Sequence, residues 1–196
     1  MKAVLLSICP NWCKLIWGGM KTVEVRKTRP KLETPFKAYI YCTGHDGWII
    51  KSPKAGVQKM DSRVIGEFIC DDIRRIGPEY CVVKEDIESA IAGSCLSIKQ
   101  VKEYAGWDIG MNYADMKDLY GWHISDLKIY DKPRELNEFS HFGFFGMNGT
   151  GVCGNEGCKY YEPSSNYMEP PTCAIDGCFL NRPPQSWCYV EDNECT

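Results

Sequence analysis

The sequence predicts an α+β domain, and three observations support this fold class. The chain has 196 residues, and 44% of them are hydrophobic, which is enough for a core of its own. Several short runs either alternate polar and apolar residues or are rich in β-branched and aromatic residues, as strands are. The segments with a helical pattern are few and short. This composition excludes a disordered tail protein.

The N-terminal region predicts a strand followed by a helix. Residues 3–8 are largely apolar, which is typical of a short buried strand. Pro10 then begins a helix of about two turns, because proline is favoured at the first helical position. The Gly18-Gly19 pair ends this helix. One side of the helix carries Trp12, Leu15 and Ile16.

Residues 21–26 alternate strictly between polar and apolar side chains, which predicts a half-buried strand. Successive side chains of a strand point to opposite faces. The inner face then carries Val23 and Val25. The opposite face carries Thr22, Glu24 and Arg26.

The rest of the chain predicts further strands and two helices. The helices lie between Asp86 and Tyr104, and the second begins with a capping box formed by Ser97 and Gln100. Further strands are predicted over residues 38–43, 63–76 (one long strand or a bent pair), 122–130 and 183–191.

Charge is distributed unevenly along the chain, whose net charge is −3. Residues 1–37 hold eight Lys and Arg against two acids, whereas residues 153–196 hold two against seven. A positive N-terminal part on a mildly acidic protein indicates a local site for an anionic ligand and argues against non-specific coating of nucleic acid. An ordinary solvated charged face is the alternative.

Location is predicted from apolar runs and from cysteine usage. The chain contains no run of 18 apolar residues, and the apolar stretch after Met1 is too short for a secretory signal. The six cysteines before residue 153 are single and lie mostly beside apolar residues, as is common in a reducing compartment. We therefore expect a cytoplasmic protein that contacts no membrane.

The other six cysteines lie in the last 44 residues. Four residues separate Cys153 from Cys158, and four separate Cys173 from Cys178. Two such hooks predict a tetrahedral four-thiolate site, and zinc is the redox-inert metal that suits it. Such a closed site is structural, with Cys188 as an alternate ligand. Disulfides and free thiols are the competing interpretations.

The cysteine-rich segment, residues 150–182, is interpreted as an insertion before the last strand. It is rich in Cys, Gly, Pro and Asn and shows neither a helical nor a strand period, so it cannot build a core alone. The prediction is one domain, residues 1–196, that contains this insertion. Tyr160, Tyr161 and Tyr167 make the loop aromatic, which leaves open a role as a protein-interaction adaptor surface.

Residues 19–26 also carry the pattern Gly-x-Lys-x-x-Glu-x-Arg after the short helix. Lys21 at the turn, with Glu24 and Arg26 on one strand face, places two cations beside one carboxylate. Arg26 offers a planar fork for a phosphate or a base edge, and Glu24 can orient that fork. Lys27 continues the positive run. An exposed Glu24–Arg26 ion pair is the alternative.

With this motif the chain resembles the ASCH domains, small β-barrels related to the PUA RNA-binding fold. The helix with Trp12, the motif of residues 19–26 and the segment 120–124 follow one another in the family's order. In particular, the chain resembles ASCH proteins of phages and prophages of low-GC Gram-positive bacteria, in which a cysteine-rich insertion precedes the final strand. This resemblance implies that the cytoplasm is that of a bacterium or a phage-infected cell. The resemblance implies a PUA-like mixed β-barrel with short flanking helices.

The resemblance also implies a cleft beside the first helix that binds RNA or a nucleotide-like ligand. Its implied ligand-binding residues are Trp12, Lys21, Thr22, Glu24, Arg26 and Lys27. One branch of the family hydrolyses N4-acetylcytidine with a Lys, a Thr and a Glu. Lys21 matches that lysine, but Glu24 occupies the position of the threonine.

Two enzymes are therefore alternatives to a binding module in this cleft. The first is an amidohydrolase acting on N4-acetylcytidine-like nucleosides, with Lys21 and Glu24 as catalytic residues and Glu67 as a second candidate acid/base. The second is a ribonuclease, for which no histidine pair lies near the motif. The histidines are His45, His123 and His141. Three aromatic residues either stack a base or belong to the core: Tyr39, Tyr41 and Trp48.

Overall fold

The computed structural model describes residues 1–44, 46–78, 84–107, 112, 115–141, 144–147, 150–153, 161–164, 171–173 and 178–192. In these residues the fold is α+β, as predicted, with many strands and a few short helices. The helices are α1 (Pro10–Trp17), α2 (Lys84–Ala90), α3 (Ile98–Ala105) and a 3-10 turn (Leu136–Glu138). The strands are β1 (Lys2–Ile8), β2 (Val23–Arg26), β3 (Phe36–Cys42), β4 (Ile49–Ser52), β5 (Gly56–Lys59), β6 (Arg63–Cys70), β7 (Ile73–Ile76), β8 (Leu119–His123), β9 (Ser125–Arg134), β10 (Phe144–Met147), β11 (Thr150–Cys153), β12 (Tyr161–Glu162), β13 (Thr172–Cys173) and β14 (Trp187–Glu191).

The chain divides into two compact units that alternate along the sequence. Unit 1 comprises Met1–Pro10, Ala38–Gly66 and Tyr130–Thr196. Unit 2 comprises Asn11–Lys37 and Glu67–Ile129. Each unit therefore combines segments that are far apart in the sequence.

A mixed five-stranded sheet lies mainly in unit 1, in the order β14-β1-β3-β6-β9. Strand β1 pairs parallel with β3 and antiparallel with β14, so the last strand returns to the first. Apolar side chains form a continuous core in this unit, because burying them removes apolar surface from water. That core contains Ala3, Leu5, Tyr39, Tyr41, Val64, Leu136, Phe139, Leu180 and Val190.

Unit 2 contains a three-stranded antiparallel sheet in the order β2-β8-β7. Apolar residues of this sheet and of α2 and α3 form a second core. Its buried members are Val25, Ile76, Ile87, Ala90, Ile91, Val101, Trp107 and Leu119. Strand β2, which carries the polar motif, is thereby held between a packed core on one face and β8 at its side.

Strand pairings among the described residues give separate sheets of five, three and two strands and do not close a barrel. The α+β class is thus confirmed at the level of mixed sheets and short helices. Residues 63–76 form two strands, as the bent-pair interpretation predicts. The single strand predicted over residues 122–130 was wrong, because the chain breaks at Ile124 between β8 and β9.

The predicted capping box at the start of α3 is confirmed. The hydroxyl of Ser97 accepts a hydrogen bond from the backbone N–H of Gln100 at 3.3 Å. The backbone N–H of Ser97 in turn donates to Oε1 of Gln100 at 2.9 Å. The helix ends at Gly106 in the left-handed conformation that favours glycine.

The cysteine-rich segment contains short strands that its sequence does not predict. Strand β11 pairs with β10, which precedes the segment, and β12 pairs with β13 inside it. The sequence shows no strand period here because strands of two to four residues are too short to show an alternating pattern. The predicted return strand is confirmed as β14.

No helix in the described part of the chain combines the length and the hydropathy needed to span a membrane.

Candidate functional site

The turn between α1 and β2 places Lys21 inside unit 2. Backbone N–H groups of Met20 and Lys21 donate to the carbonyl of Leu15 at 3.0 and 3.1 Å, which ends the helix. Gly19 has φ +71°, a conformation that other residues adopt only with strain. This tight reversal turns the chain sharply, and the Lys21 side chain is only 2% exposed.

The ammonium group of Lys21 is surrounded by acceptors. It donates to the carbonyl oxygens of Val23 at 2.8 Å and of Ser94 at 2.7 Å. It also lies 3.3 Å from Oε2 of Glu24 and 5.1 Å from the centre of the Trp12 ring. Because an ammonium has three N–H donors, these acceptors occupy all of them. Lys21 therefore joins the helix turn, strand β2 and the loop before α3.

Glu24 is shared between two cations. Its Oε2 faces Lys21, and its Oε1 lies 3.0 Å from Nη2 of Arg26. The side chains of Glu24 and Arg26 are each 8% exposed. The face of β2 predicted to be exposed is thus buried at these two positions. We name Lys21, Glu24 and Arg26 the buried charge cluster.

Strand β8 lines the charge cluster through its pairing with β2. Glu24 lies opposite Trp122, and Arg26 lies opposite Tyr120. Directly opposed residues of an antiparallel pair point to the same face. Trp122, fully buried, therefore lies on the face of the sheet that holds the charge cluster.

The loop between α2 and α3 closes over the turn that carries Lys21. The carbonyl of Gly93 accepts from the backbone N–H groups of Thr22 and Val23 at 2.8 and 3.0 Å. The thiol of Cys95 donates to the carbonyl of Met20 at 3.3 Å. Together with the Lys21–Ser94 contact, these bonds fix the loop against the charge cluster.

Tyr104 and Lys27 lie near the outer edge of the charge cluster. The ammonium of Lys27 is 5.1 Å from the centre of the Tyr104 ring. Burial raises the pKa of the Tyr104 hydroxyl, while the charge of Arg26 acts in the opposite direction. Tyr104 remains 38% exposed, so its ring is accessible to solvent beside the cationic residues.

The structure brings together four of the six predicted ligand-binding residues: Trp12, Lys21, Glu24 and Arg26. Lys27 lies next to Tyr104 at the edge. Thr22 precedes the strand, is exposed, and a side chain at Gly93 would meet its hydroxyl. Residue-pattern reasoning missed Ser94 and Tyr104, since a backbone carbonyl can come from any residue type.

Other sequence candidates lie apart from the charge cluster. Glu67 pairs with Lys128 at 3.4 Å. Nδ1 of His123 lies 2.6 Å from Oδ1 of Asp71, and His123 opposes Val23, which places it on the opposite face of the sheet from Glu24. Burial lowers the pKa of His141. His45 lies outside the described residues.

Two of the three aromatic candidates for base stacking in unit 1 belong to its core. Tyr39 and Tyr41 belong to the hydrophobic core, with exposures of 1% and 6%, so they are unsuited to stacking a base. The Tyr39 hydroxyl donates to Oδ1 of Asp192 at 2.7 Å. Trp48 is half-buried, and its backbone N–H donates to Oδ2 of Asp61 at 2.9 Å.

The predicted zinc ligands lie largely outside the described side chains. Cys158 is outside the described residues, and only the backbones of Cys153 and Cys173 are described. The carbonyl of Cys178 accepts from the backbone N–H of His141 at 2.9 Å. Among described residues no group of three or more His, Cys, Asp or Glu is arranged to hold a metal ion.

Cys188, the alternate ligand, lies in an environment that suits a thiol better than a thiolate. It opposes Leu5 in the β1–β14 pair and packs against the core of unit 1. Burial raises its pKa to about 12. A bound metal ion deprotonates a thiol that it coordinates, so Cys188 stays a prediction as the alternate ligand.

Comparison with known proteins gives matches among solved structures alone. No family model matches the chain, and neither does any curated protein. The chain is similar to the ASCH protein of Zymomonas mobilis, with 18% identity and a TM-score of 0.47, over 69% of this chain and 75% of that one. It is likewise similar to a single-residue mutant of that protein, with 17% identity and a TM-score of 0.48, over 70% and 78% of the two chains.

Proposed function

We propose that this protein binds RNA or a nucleotide-like ligand at the buried charge cluster of unit 2. The observation that carries the proposal is that Lys21 and Arg26 share one carboxylate, Glu24, while all three side chains are 2–8% exposed. A guanidinium and an ammonium that one carboxylate orients are donors that suit an anionic group. A phosphate group has the charge and the acceptor geometry for this site.

Arg26 is the proposed phosphate contact. Its guanidinium is held in place by Glu24 at 3.0 Å, so its orientation is fixed before a ligand arrives. A guanidinium can donate two parallel hydrogen bonds to a phosphate, which a lysine cannot do. The exposed Lys27, next along the chain, adds positive charge where a phosphate would enter.

Lys21 is proposed as a positioning residue. Its three donors are directed to Val23, Ser94 and Glu24, so direct contact with a ligand requires it to release one of them. Its contribution is then to fix Glu24, which in turn orients Arg26. This assigns different roles to the two cations of the motif.

Aromatic rings beside the charge cluster support a nucleotide ligand over a simple anion. Trp12 is half-buried with its ring near the Lys21 ammonium, and Tyr104 is partly exposed beside Lys27. Stacking of a base on such a ring contributes about 1–3 kcal/mol. A ligand with both a phosphate and a base would use both features.

Titration of the protein with a nucleotide and an RNA tests the proposal. We would measure binding of uridine monophosphate by calorimetry and of a fluorescein-labelled RNA by anisotropy. The Arg26→Gln variant is expected to bind both about tenfold more weakly, the equivalent of about 1.4 kcal/mol. Arg75→Gln, on strand β7, is the control, since Arg75 is 54% exposed and pairs with Asp118, just before β8. Equal binding by Arg26→Gln and the wild type would refute the proposed site.

A hydrolase in the same cleft is the second candidate, and one contact favours it. Lys21 and Glu24 lie 3.3 Å apart in a buried environment, so a proton can pass between them. Release of acetate from N4-acetylcytidine that is lost in Lys21→Met would favour the amidohydrolase. RNA cleavage lost in the same variant would favour the ribonuclease. Absence of both reactions at high protein concentration, with ligand binding intact, leaves the binding module.

We also propose a structural zinc ion held by Cys153, Cys158, Cys173 and Cys178. Cys153 and Cys173 end strands β11 and β13, and Cα atoms of these strands lie within 8 Å of one another. The proximity of β11 and β13, where the first cysteine of each hook lies, supports this proposal. Zinc would supply four bonds that stabilise a segment with little core of its own.

Metal analysis of untagged protein tests the zinc proposal. We expect about one zinc ion per chain in the wild type and in Cys188→Ser, and well under one in Cys173→Ser. A zinc content near zero in the wild type would rule the site out. If deletion of residues 153–178 removes a protein partner while nucleotide binding is kept, the segment also serves as an adaptor surface.

A further inference from the structure

The hairpin formed by β4 and β5 in unit 1 presents one face to solvent. Ile49 pairs with Lys59, and Lys51 pairs with Val57, so these four side chains lie on one face. All four are exposed, with Ile49 at 60% and Val57 at 68%. We name Ile49, Lys51, Val57 and Lys59 the hairpin face.

The hairpin face is cationic. Residues 48–60 contain three lysines and no acidic residue. Lys54, at the turn, forms an ion pair with Asp131 at 3.2 Å. Within the described structure, Lys51 and Lys59 form no ion pair, so both charges are available to a partner.

The hairpin is held in one conformation. At its base, the backbone N–H of Met60 donates to the carbonyl of Trp48, and the N–H of Trp48 donates to Asp61, both at 2.9 Å. At its turn, Ser52 is 6% exposed, and its hydroxyl donates to Asp131 at 3.2 Å. Because the hairpin is ordered before binding, it loses little conformational entropy when a partner binds.

We propose that the hairpin face docks on the phosphate backbone of an RNA strand. Lys51 and Lys59 would contact phosphates, and Ile49 and Val57 would pack against sugars and base edges. Lys51 and Lys59 are diagonal neighbours, about 7–8 Å apart at the backbone, so their long side chains can reach separate phosphates of one strand. The choice of RNA as the partner rests on the function proposed above. The expectation that the partner is a polyanion rests on the lysines of the hairpin face alone.

Two other occupants fit this face less well. A second copy of the chain would bring Lys51 and Lys59 against their own equivalents, and like charges across strands are destabilising. A membrane surface is bound through large apolar side chains such as Trp, Phe and Leu, whereas this face offers one Ile and one Val. The charge pattern therefore favours a polyanion that stays in water.

The salt dependence of RNA binding tests the inference. We would measure a fluorescein-labelled 20-nucleotide oligouridylate by anisotropy, from about 50 to about 300 mM salt. In Lys51→Gln/Lys59→Gln the slope of log affinity against log salt is expected to fall by about 0.7 per lysine. Affinity at low salt should fall about tenfold. Lys99→Gln/Lys117→Gln, which removes two exposed lysines of unit 2, is the charge-matched control and should change neither quantity.

Several outcomes would overturn the inference. A salt slope in Lys51→Gln/Lys59→Gln equal to that of the wild type would do so. An equal loss of RNA affinity in the control variant would also do so. Hairpin-dependent binding to phosphatidylcholine vesicles with about 30% phosphatidylserine, without RNA binding, would assign the face to a membrane. Hairpin-dependent dimerisation in sedimentation would assign it to a second copy. Unchanged thermal unfolding is expected for the variant, because both lysines are exposed.

Uridine monophosphate separates this inference from the proposed function. A mononucleotide is expected to depend on Arg26 and not on the hairpin lysines. If the Arg26 effect is seen without the hairpin effect, the proposed function stands and the inference fails. If the hairpin effect is seen without the Arg26 effect, the inference stands and the proposed function fails.

Discussion

Lys21 is a buried cation whose partners are mostly backbone carbonyls, and this predicts a large stability effect. Lys21→Met keeps the aliphatic stem beside Trp12 but leaves Glu24 with one cation and two carbonyls without their donor. We expect unfolding free energy in urea to fall by roughly 3 kcal/mol. The exposed Lys27→Met should cost less than about 0.5 kcal/mol. Similar losses of unfolding free energy in both variants would show that the buried contacts of Lys21 do not stabilise the fold.

Asp71 provides a residue-scale prediction about pH. The hydrogen bond from His123 lowers the pKa of the Asp71 carboxyl below its ordinary value. A carboxyl with a lowered pKa stabilises the folded state above about pH 4, and that stability is lost as pH falls through the lowered value. We expect His123→Ala to raise the Asp71 pKa in carbon-13 NMR titration. An unchanged titration would show that the 2.6 Å contact does not persist in solution.

At the residue scale, the sequence predicts the charged members of the site but not their surroundings. Alternation along β2 places Glu24 and Arg26 on one face, as observed. The burial of that face depends on Trp122 and on the loop before α3, where Ser94, 73 residues after Lys21, supplies a carbonyl. A backbone acceptor leaves no trace in residue type, so such a contact cannot be read from one sequence.

Two glycines with almost the same backbone conformation lie on either side of α3, and we expect their substitution by alanine to destabilise the fold unequally. Gly93 has φ +79° and Gly106 has φ +77°, so an alanine is equally strained at either position. A Cβ atom at Gly93 would also collide with the Thr22 hydroxyl, whereas at Gly106 it would meet no atom within 4 Å. We expect Gly106→Ala to cost about 1 kcal/mol and Gly93→Ala about 1–2 kcal/mol more.

Chemical denaturation of the two single variants measures this difference. Gly93→Ala/Thr22→Ala should recover most of the extra loss, because it removes the hydroxyl. Equal destabilisation at both glycines would mean that the loop moves away from Thr22 at little cost.

At the element scale, long patterned elements were predictable and short ones were not. The start of α3 follows from the reciprocal bonds of Ser97 and Gln100, which are local. The break at Ile124 is set by pairing with distant segments, because β8 pairs with β2 and β9 with β6. The strands β10–β13 are instead only two to four residues long, which is too short to establish a period.

The unit 1 sheet brings β3 and the segment after β14 together, and this predicts unequal effects of two tyrosines. The Tyr39 hydroxyl donates to Asp192, which is 9% exposed, across 153 positions of sequence. Tyr41, 6% exposed, makes no side-chain hydrogen bond among the described residues. Tyr39→Phe should lower the unfolding free energy by about 1–3 kcal/mol, and Tyr41→Phe by less than about 0.5 kcal/mol. Equal losses in thermal unfolding would contradict a role for the Asp192 contact.

At the scale of the whole molecule, the sequence predicts the fold class and the return of the last strand, but not the two units. Their boundaries fall after Pro10, Lys37, Gly66 and Ile129. Lys37, Gly66 and Ile129 lie inside strands β3, β6 and β9, where the composition of the chain does not change. Contacts between distant segments define the units, so local composition gives no sign of them.

The antiparallel pairing of β1 with β14 has a consequence for how the protein is made. On a ribosome, β1 and its parallel partner β3 are complete within the first 42 residues, but the partner for the other side of β1 is at residues 187–191. Until then, one side of a strongly apolar strand has unpaired backbone groups, which invites association between nascent chains. We expect truncated translation products that end before Trp187 to aggregate, and a nascent chain of this protein to be a good client for a ribosome-bound chaperone.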